Sequence, residues 1–326
     1  MNMSMNEIVN ADNNKMEWAN ISKWYRAATV RNSPRIMVPL EDEEGQFIYP
    51  KSRQNIVSHD LVVNRGDETI SYILAQSAYR YMFEIGLLET KFVIDCSLKI
   101  VNNEIYESKG SEKLEALAVV IDEGYHAYVA LDFVMQMKQK TGWDPVEIPS
   151  INGNLKAVND VLDTIPEAFK NDFYLISCTI AEHTLTKDLL SVGREKDATE
   201  SFTKVMKDHV SDEGRHAGYF ARMMKMHWSN MREDSKRYIG SMLPDYLDEY
   251  LAYDKNREFE EKVLNSCGFT KAEVEKILQD TKAEYIEKNE SYIDATKANI
   301  VQLLKRSKFF ECANTEHSFK KSGLLT

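Results

Sequence analysis

One six-residue phrase occurs twice in this chain and restricts what the rest can fold into. Asp122-Glu123-Gly124-Tyr125-His126-Ala127 and Asp212-Glu213-Gly214-Arg215-His216-Ala217 differ at a single position. On an α-helix, residues three apart share a face, so each phrase projects a carboxylate and an imidazole the same way. Two Glu-x-x-His pairs, joined by a lone Glu from each of two further helices, form the ligand set of a di-iron or di-manganese site inside a four-helix bundle. The chain must therefore supply two more carboxylates on long helices.

Its composition allows this. Only 13 Gly and 7 Pro in 326 residues favour helix over turn-rich β structure, and 43% hydrophobic residues give ample core. The formal charge of −11 makes the chain a poor ligand for nucleic acid or anionic lipid. Cys96, Cys178, Cys267 and Cys312 are far apart, which indicates reduced thiols rather than a disulfide framework or thiolate zinc site. The first residues lack the basic and apolar regions of a signal peptide, and no run reaches the length of a membrane span, so a cytoplasmic protein is expected.

The pattern along the chain predicts an all-α fold: a ferritin-like four-helix bundle with additional N- and C-terminal helices. Residues 1–66 read as an N-terminal arm packing on the core, with one helix over Met16–Val30 and an extended, proline-bearing stretch after it. Residues 67–230 read as the bundle. Its first helix follows Gly66 and ends near Asn102-Asn103. The second opens at Ser111, with Leu114, Leu117, Val120 and Ile121 before the first phrase, and stops near Gly142. Residues 142–160 read as a crossover. The third helix runs from Pro166 to Val192, with Gly193 as its cap, and the fourth from Asp197 to Trp228. Residues 231–326 read as C-terminal helices completing the same domain: Pro244–Tyr253, one from Thr270, and Ala283–Arg306. The echo of the phrase at 90 residues hints at an old helix-pair duplication.

The two extra carboxylates can be placed. Glu182 sits in an apolar run, where a carboxylate is costly unless paired or metal-bound, 31 residues before Glu213. Glu89 lies 34 residues before Glu123, a better match to that interval than Glu84 at 39. His209 falls on the stripe of Glu213 and His216, so the fourth helix reads His-x-x-x-Glu-x-x-His. Nitrogen and carboxylate ligands in this mix suit iron, with manganese as the alternative. Asp122 and Asp212 are placed to accept from the ligand histidines, each on its own helix or across to the other. Gly124 and Gly214 each cost about 1 kcal/mol against Ala in a helix, which suggests a steric need beside the metals. A lone Glu-x-x-His is a common surface coincidence, whereas two with matching flanks and preceding carboxylates are not. His183 points away from Glu182 and reads as a core histidine or one that supports the metal ligands from behind. His59, His227 and His317 show no partner in the sequence. Tyr81, Phe92, Phe173, Tyr219 and Phe220 read as core, and Arg215 as a group that supports the metal ligands from behind or forms a bundle ion pair, rather than a substrate clamp.

At this point the residues resemble the para-aminobenzoate N-oxygenase type of diiron oxygenases, a ferritin-like family with seven protein ligands, the extra one a histidine. Glu89, Glu123 with His126, Glu182, and His209, Glu213 and His216 fit each step of its pattern, and the likeness covers roughly residues 60–235. The resemblance implies that one iron takes Glu89 and His126, the other takes Glu182, His209 and His216, and Glu123 and Glu213 bridge. It implies two irons, O2 as co-substrate and an external electron donor, acting on an amine, free or tethered to a carrier protein. The products would be hydroxylamine, nitroso or nitro compounds of secondary-metabolite biosynthesis, and a homodimer is expected on the same ground. Substrate contacts cannot be carried over; Lys288 and Arg306 are the basic residues that could meet a substrate carboxylate, though both read first as solvated charges. The rivals are another ferritin-like diiron oxidase (C-hydroxylase, desaturase or radical-generating subunit) and a ferroxidase or iron-handling protein. The third histidine argues against the former, and the long flanking segments argue against the latter.

Overall fold

The computed structural model describes residues 21–39, 46–146, 148, 150–252 and 256–325. It is all-α. The long helices are α1 (Asp67–Leu88), α2 (Ile94–Val101), α3 (Gly110–Thr141), α4 (Gly153–Thr164), α5 (Lys170–Val192) and α6 (Glu200–Asn230). They are followed by α7 (Glu233–Tyr250), α8 (Asn256–Ser266), α9 (Lys271–Asp280), α10 (Lys282–Arg306) and α11 (Ala313–Lys321). Among the described residues the only β pairing is a single bridge, Phe47 to Ala198. No described helix is long and apolar enough to cross a membrane.

Local chemistry explains several boundaries. Glu112 accepts from Lys109 N at 2.9 Å to open α3, and Gly142 closes it at φ 71°, a left-handed position suited to glycine. Thr270 and Glu273 cap the start of α9 reciprocally. Between α1 and α2 the helix does not break. Glu89–Val93 form one π-helical turn, so the two segments are continuous with a local wide turn that begins at Glu89.

Most apolar side chains of the four long helices divide into two groups with a polar waist between them, while Ile70, Ile73 and Leu74 at the start of α1 join a third with α8 and α9. In α3, Ala116 and Val119 belong to one group and Phe133 and Met137 to the other. In α5, Phe173 to Ala181 belong to the first, and Leu189 and Val192 to the second. The order reverses in α6, where Phe202 and Met206 precede Tyr219 and Phe220, and in α1–α2, where Ala78 and Met82 precede Cys96 and Ile100. Hence α1 and α6 run one way, and α3 and α5 the other. Since α3 and α5 are parallel, their connection must travel back along the bundle, which is the single long crossover of a ferritin-like fold.

Several expectations need correction. The crossover carries a helix of its own, α4, capped by the Asn152 side chain and anchored by buried Leu155, Ala157 and Val158; it was too short to stand out. Leu114, Leu117 and Ile121 are exposed, and the core face of α3 is that of Ala116 and Val119. Gly193 ends α5 at φ −65°, so it is not a left-handed cap. The helix expected over Met16–Val30 falls partly outside the described residues; within them, residues 21–27 are helical and a break at Ala28 precedes Thr29–Asn32. Helices α8 and α11 were not foreseen.

Gly240 in α7 is buried, and a Cβ there would lie 2.9 Å from Thr315 Cβ on α11 and closer still to its hydroxyl. Gly240→Ala should therefore lower stability by about 1–3 kcal/mol despite alanine's better helix propensity. Adding Thr315→Ala should restore part of the loss in urea or thermal denaturation.

Candidate metal centre

The polar waist holds the seven residues singled out by spacing. Glu89 comes from the π turn, Glu123 and His126 from α3, Glu182 from α5, and His209, Glu213 and His216 from α6. All are buried. Two groups of four place their ligand atoms within 4.8 Å of one another: Glu89, Glu123, His126 and His209, and then Glu123, His126, Glu213 and His216. Glu182 stands slightly further off, with Oε2 3.9 Å from His216 Nδ1.

The outer ring nitrogens of two histidines are engaged across the bundle. His126 Nε2 on α3 pairs with Asp212 on α6 at 3.0 Å, and His216 Nε2 on α6 pairs with Asp122 on α3 at 3.3 Å. Each aspartate thus serves the histidine of the opposite phrase. A carboxylate accepts, so Nε2 carries a proton, and Nδ1, which faces inward, is the nitrogen left for a metal. His126 Nδ1 lies 3.0 Å from Glu123, and His216 Nδ1 lies 2.9 Å from Glu123 and 3.3 Å from Glu213. His209 faces the centre with Nε2 instead, 3.0 Å from both Glu89 and Glu213.

Apart from His126 Nδ1, which is hydrogen-bonded to Glu123, most of these inner atoms are close without being satisfied. Both oxygens of Glu89, Glu182 and Glu213, one of Glu123, His209 Nε2 and His216 Nδ1 have no hydrogen-bond partner. Buried polar atoms are rarely left so. Lone pairs aimed at a common space without hydrogen-bond geometry are what a shared cation needs, and the donor set fits iron or manganese.

The electrostatics agree. Burial, Glu213 and Glu123 push the Glu182 carboxyl well above the usual range, and burial pushes Glu89 up to about 7. Burial would lower His126, but hydrogen bonds with Asp212 and Glu123 raise it to about 10. Burial likewise opposes His216, yet Glu123 and Glu213 hold it well above the ordinary value. Burial and Glu213 would raise Glu123, but His216 and His126 keep it low. The cluster carries more negative charge than its imidazoles balance unless it takes up protons or metal cations.

His209 stacks beside His126, ring centroids 4.0 Å apart, and its Nε2 faces both Glu89 and Glu213. Seven residues separate it from His216, about 10 Å along the helix axis, so the two imidazoles reach opposite ends of the cluster. Glu213 lies between them, one oxygen 3.0 Å from His209 and 3.3 Å from His216. Gly124 and Gly214 differ from expectation. A Cβ at either would meet nothing within 4 Å, so no side chain near the cluster requires them. Glu84 stays outside, paired with Arg80 at 2.8 Å. His183 is half-buried away from the centre, and His59 and His227 do have partners, in Asp280 and Asp172.

The outer support missed by spacing comes from the N-terminal segment. Trp24 Nε1 donates to Asp122 at 2.8 Å, and its ring stacks 5.7 Å from His216. The Thr29 amide donates to Asp212 at 3.2 Å, and the Thr29 hydroxyl and Arg215 guanidinium also donate to that carboxylate. No local pattern announces the long-range donors Trp24 and Thr29, whereas Arg215 stands three residues from Asp212 on the same helix.

A cavity of about 600 Å³ lies beside the centre. Ile85 and Leu88 flank Glu89, and Ala181 and Leu185 flank Glu182, so its apolar floor borders the turns that carry those two ligands. Tyr49, Tyr81, Tyr250 and Tyr292 line it, together with Arg53, Asp188 and Lys288. Tyr81, expected in the core, faces this space and donates to Asp188 at 2.6 Å. Of the two basic residues considered from sequence, Lys288 lines the cavity and Arg306 is exposed elsewhere.

A family model described as P-aminobenzoate N-oxygenase AurF matches residues 37–297, and the chain belongs to that family.

Glu89 and the histidines gain affinity for protons on folding. His126 moves from 6.5 to about 10, so its stabilising contribution is complete below pH 6.5 and fades as pH rises towards 10. Glu89, raised from 4.5 to about 7, loses its contribution earlier, as pH rises from 4.5 through 7. Protein treated with a chelator should therefore melt at progressively lower temperature from pH 6.5 to 10. Added ferrous or manganous ion should remove most of that decline, as measured by calorimetry.

Proposed function

We propose that the chain, as a member of that family, holds two iron ions in the waist of the bundle. It would use them, with O2 and an external electron donor, to oxidise the nitrogen of a small organic amine to hydroxylamine, nitroso or nitro products. The observation that carries this reading is the convergence of four carboxylates and three imidazoles, most of whose inner atoms lack hydrogen-bond partners. Manganese is the alternative metal for the same donors.

Glu89, His126 and His209 would hold one ion, and Glu182 and His216 the other, with Glu123 and Glu213 shared. When bound, the pair supplies the electrons that reduce O2 and the oxidising power delivered to the amine. Asp212 and Asp122 keep Nε2 of His126 and His216 protonated and their Nδ1 atoms aimed inward. The buried ligands exclude bulk water, which limits loss of reactive oxygen to solvent.

The cavity is of a size that takes a small organic molecule. Its cations are already matched: Arg53 with Asp188 at 3.2 Å, Arg80 with Glu84, and Lys288 with Glu284 at 2.6 Å. A lining whose cations are already matched offers no free basic group to an acidic substrate and suits an amine, whose uncharged form carries the nitrogen lone pair that is oxidised. The tyrosines give flat faces for a planar substrate. An iron store needs no such chamber, which favours an enzyme over a ferroxidase.

The test is to load the protein anaerobically with ferrous iron, admit O2 with a panel of aryl and aliphatic amines, and analyse products by mass spectrometry. About two irons per chain and an N-oxygenated product are expected; iron uptake with no N-oxygenated product from any amine would count against the reading. Asp212→Asn should weaken iron binding by ~10–100-fold in chelator competition while leaving helical circular dichroism unchanged. His209→Ala should perturb the iron ion beside Glu89 in Mössbauer spectra and leave its neighbour's signal close to native.

A further inference from the structure

Trp24 does more than hold an aspartate. Its Nε1 and His216 Nε2 meet the same oxygen of Asp122, at 2.8 and 3.3 Å. The indole also stacks on the imidazole, with centroids 5.7 Å apart and planes 27° from parallel. One ligand of the centre is therefore joined to a single indole by two routes, one hydrogen-bonded and one stacked. Asp212, which serves His126, is held instead by Thr29 and Arg215. Trp24 is buried, but Lys23, Tyr25 and Arg26 beside it are exposed, so the indole lies just beneath the surface.

That surface is opposite in charge to the chain as a whole. Residues 21–39 carry Lys23, Arg26, Arg31 and Arg35 and no acid, in a chain of net charge −11. Arg35 is paired with Asp132, whereas among the described residues Lys23, Arg26 and Arg31 have no carboxylate partner. Arg31 lies over the exposed Tyr25 ring at 4.0 Å, and Arg215 adds a guanidinium 5.8 Å from the Trp24 ring. We propose that this basic surface receives an acidic protein that carries one electron at a time, and that Trp24, with Asp122, conducts the electron from it to the ion beside His216.

The proposal rests on the reading that the waist holds iron and draws on an external donor. Each encounter oxidises the carrier by one electron and reduces one ferric ion to ferrous, so two encounters reduce the pair. No bond forms or breaks in the protein, and the indole undergoes no net oxidation. Electron tunnelling weakens steeply across empty space and least across bonded or stacked atoms, which the Trp24 contacts supply. A basic patch on an acidic protein steers an acidic partner to one place and repels it elsewhere. Electron-transfer encounters use small interfaces, for which the exposed side chains of one short segment suffice. The location also suits turnover. Trp24 and Thr29 lie against α3 and α6, whereas the cavity borders α1 and α5, so carrier and amine reach the centre from different sides.

The test uses the full chain and, as probe, an acidic ferredoxin with a single two-iron cluster. Oxidised ferredoxin is first titrated into metal-free protein by calorimetry. Binding should appear at low salt and be lost by about 0.5 M salt. Lys23→Glu, Arg26→Glu and Arg31→Glu together should weaken it by about tenfold or more with unchanged circular dichroism. Protein saturated with iron is then reduced anaerobically, in parallel, by reduced ferredoxin and by dithionite, which is small enough for the cavity. Trp24→Phe keeps a ring against His216 but removes the donor to Asp122. It should slow the ferredoxin rate several-fold and leave the dithionite rate close to native. The proposal falls if ferredoxin does not bind, if charge reversal leaves binding unchanged, or if Trp24→Phe slows both reductants alike. Binding that appears only once residues 1–20 are removed would give the patch to that segment instead. Protein that binds no iron would overturn the functional reading and the proposal with it, whereas iron reduced by dithionite but not by ferredoxin would overturn the proposal alone.

Discussion

Seven ionisable side chains share a space that water does not reach, and four of them are acids. Each buried charge carries a penalty of several kcal/mol unless it is compensated. Most of the architecture can be read as the response to this demand. Two apolar groups clamp the waist from either side and keep it dry. Three imidazoles neutralise part of the charge, and the unmatched lone pairs that remain call for metal.

Helix geometry turns that demand into a defined site. Antiparallel α3 and α6 bring the two phrases past each other, so each aspartate meets the other phrase's histidine. A duplicated phrase thereby becomes a reciprocal pair of hydrogen bonds. The long crossover lets α5 run parallel to α3 and brings Glu182 to the same level. The π turn at Glu89 widens α1 at the point where its carboxylate must reach the cluster.

The ligands were legible because helical spacing states which residues share a face, and repetition made coincidence implausible. Spacing could not tell to which end of the cluster His209 belongs, since that depends on the rise along α6 and the position of Glu89 on another helix. Leu114, Leu117 and Ile121 misled for a related reason. Periodicity shows that an apolar face exists but not whether it turns inward, and α3 has apolar residues on two sides. Short α4 and the π turn have no strong periodic signal. Trp24 and Thr29 were invisible because their partners lie 98 and 183 residues away. The glycines of the two phrases drew attention for the right cost and the wrong location: both face outward.

Trp24 and Thr29 sit on one short stretch of chain, yet they grip aspartates from different helices. Those aspartates orient imidazoles at different ends of the cluster. The two halves of the centre are thus fastened by a common strap, and disorder in that strap would let both rings swivel together. Loss of one ion and loss of the other then become a joint event rather than two independent ones.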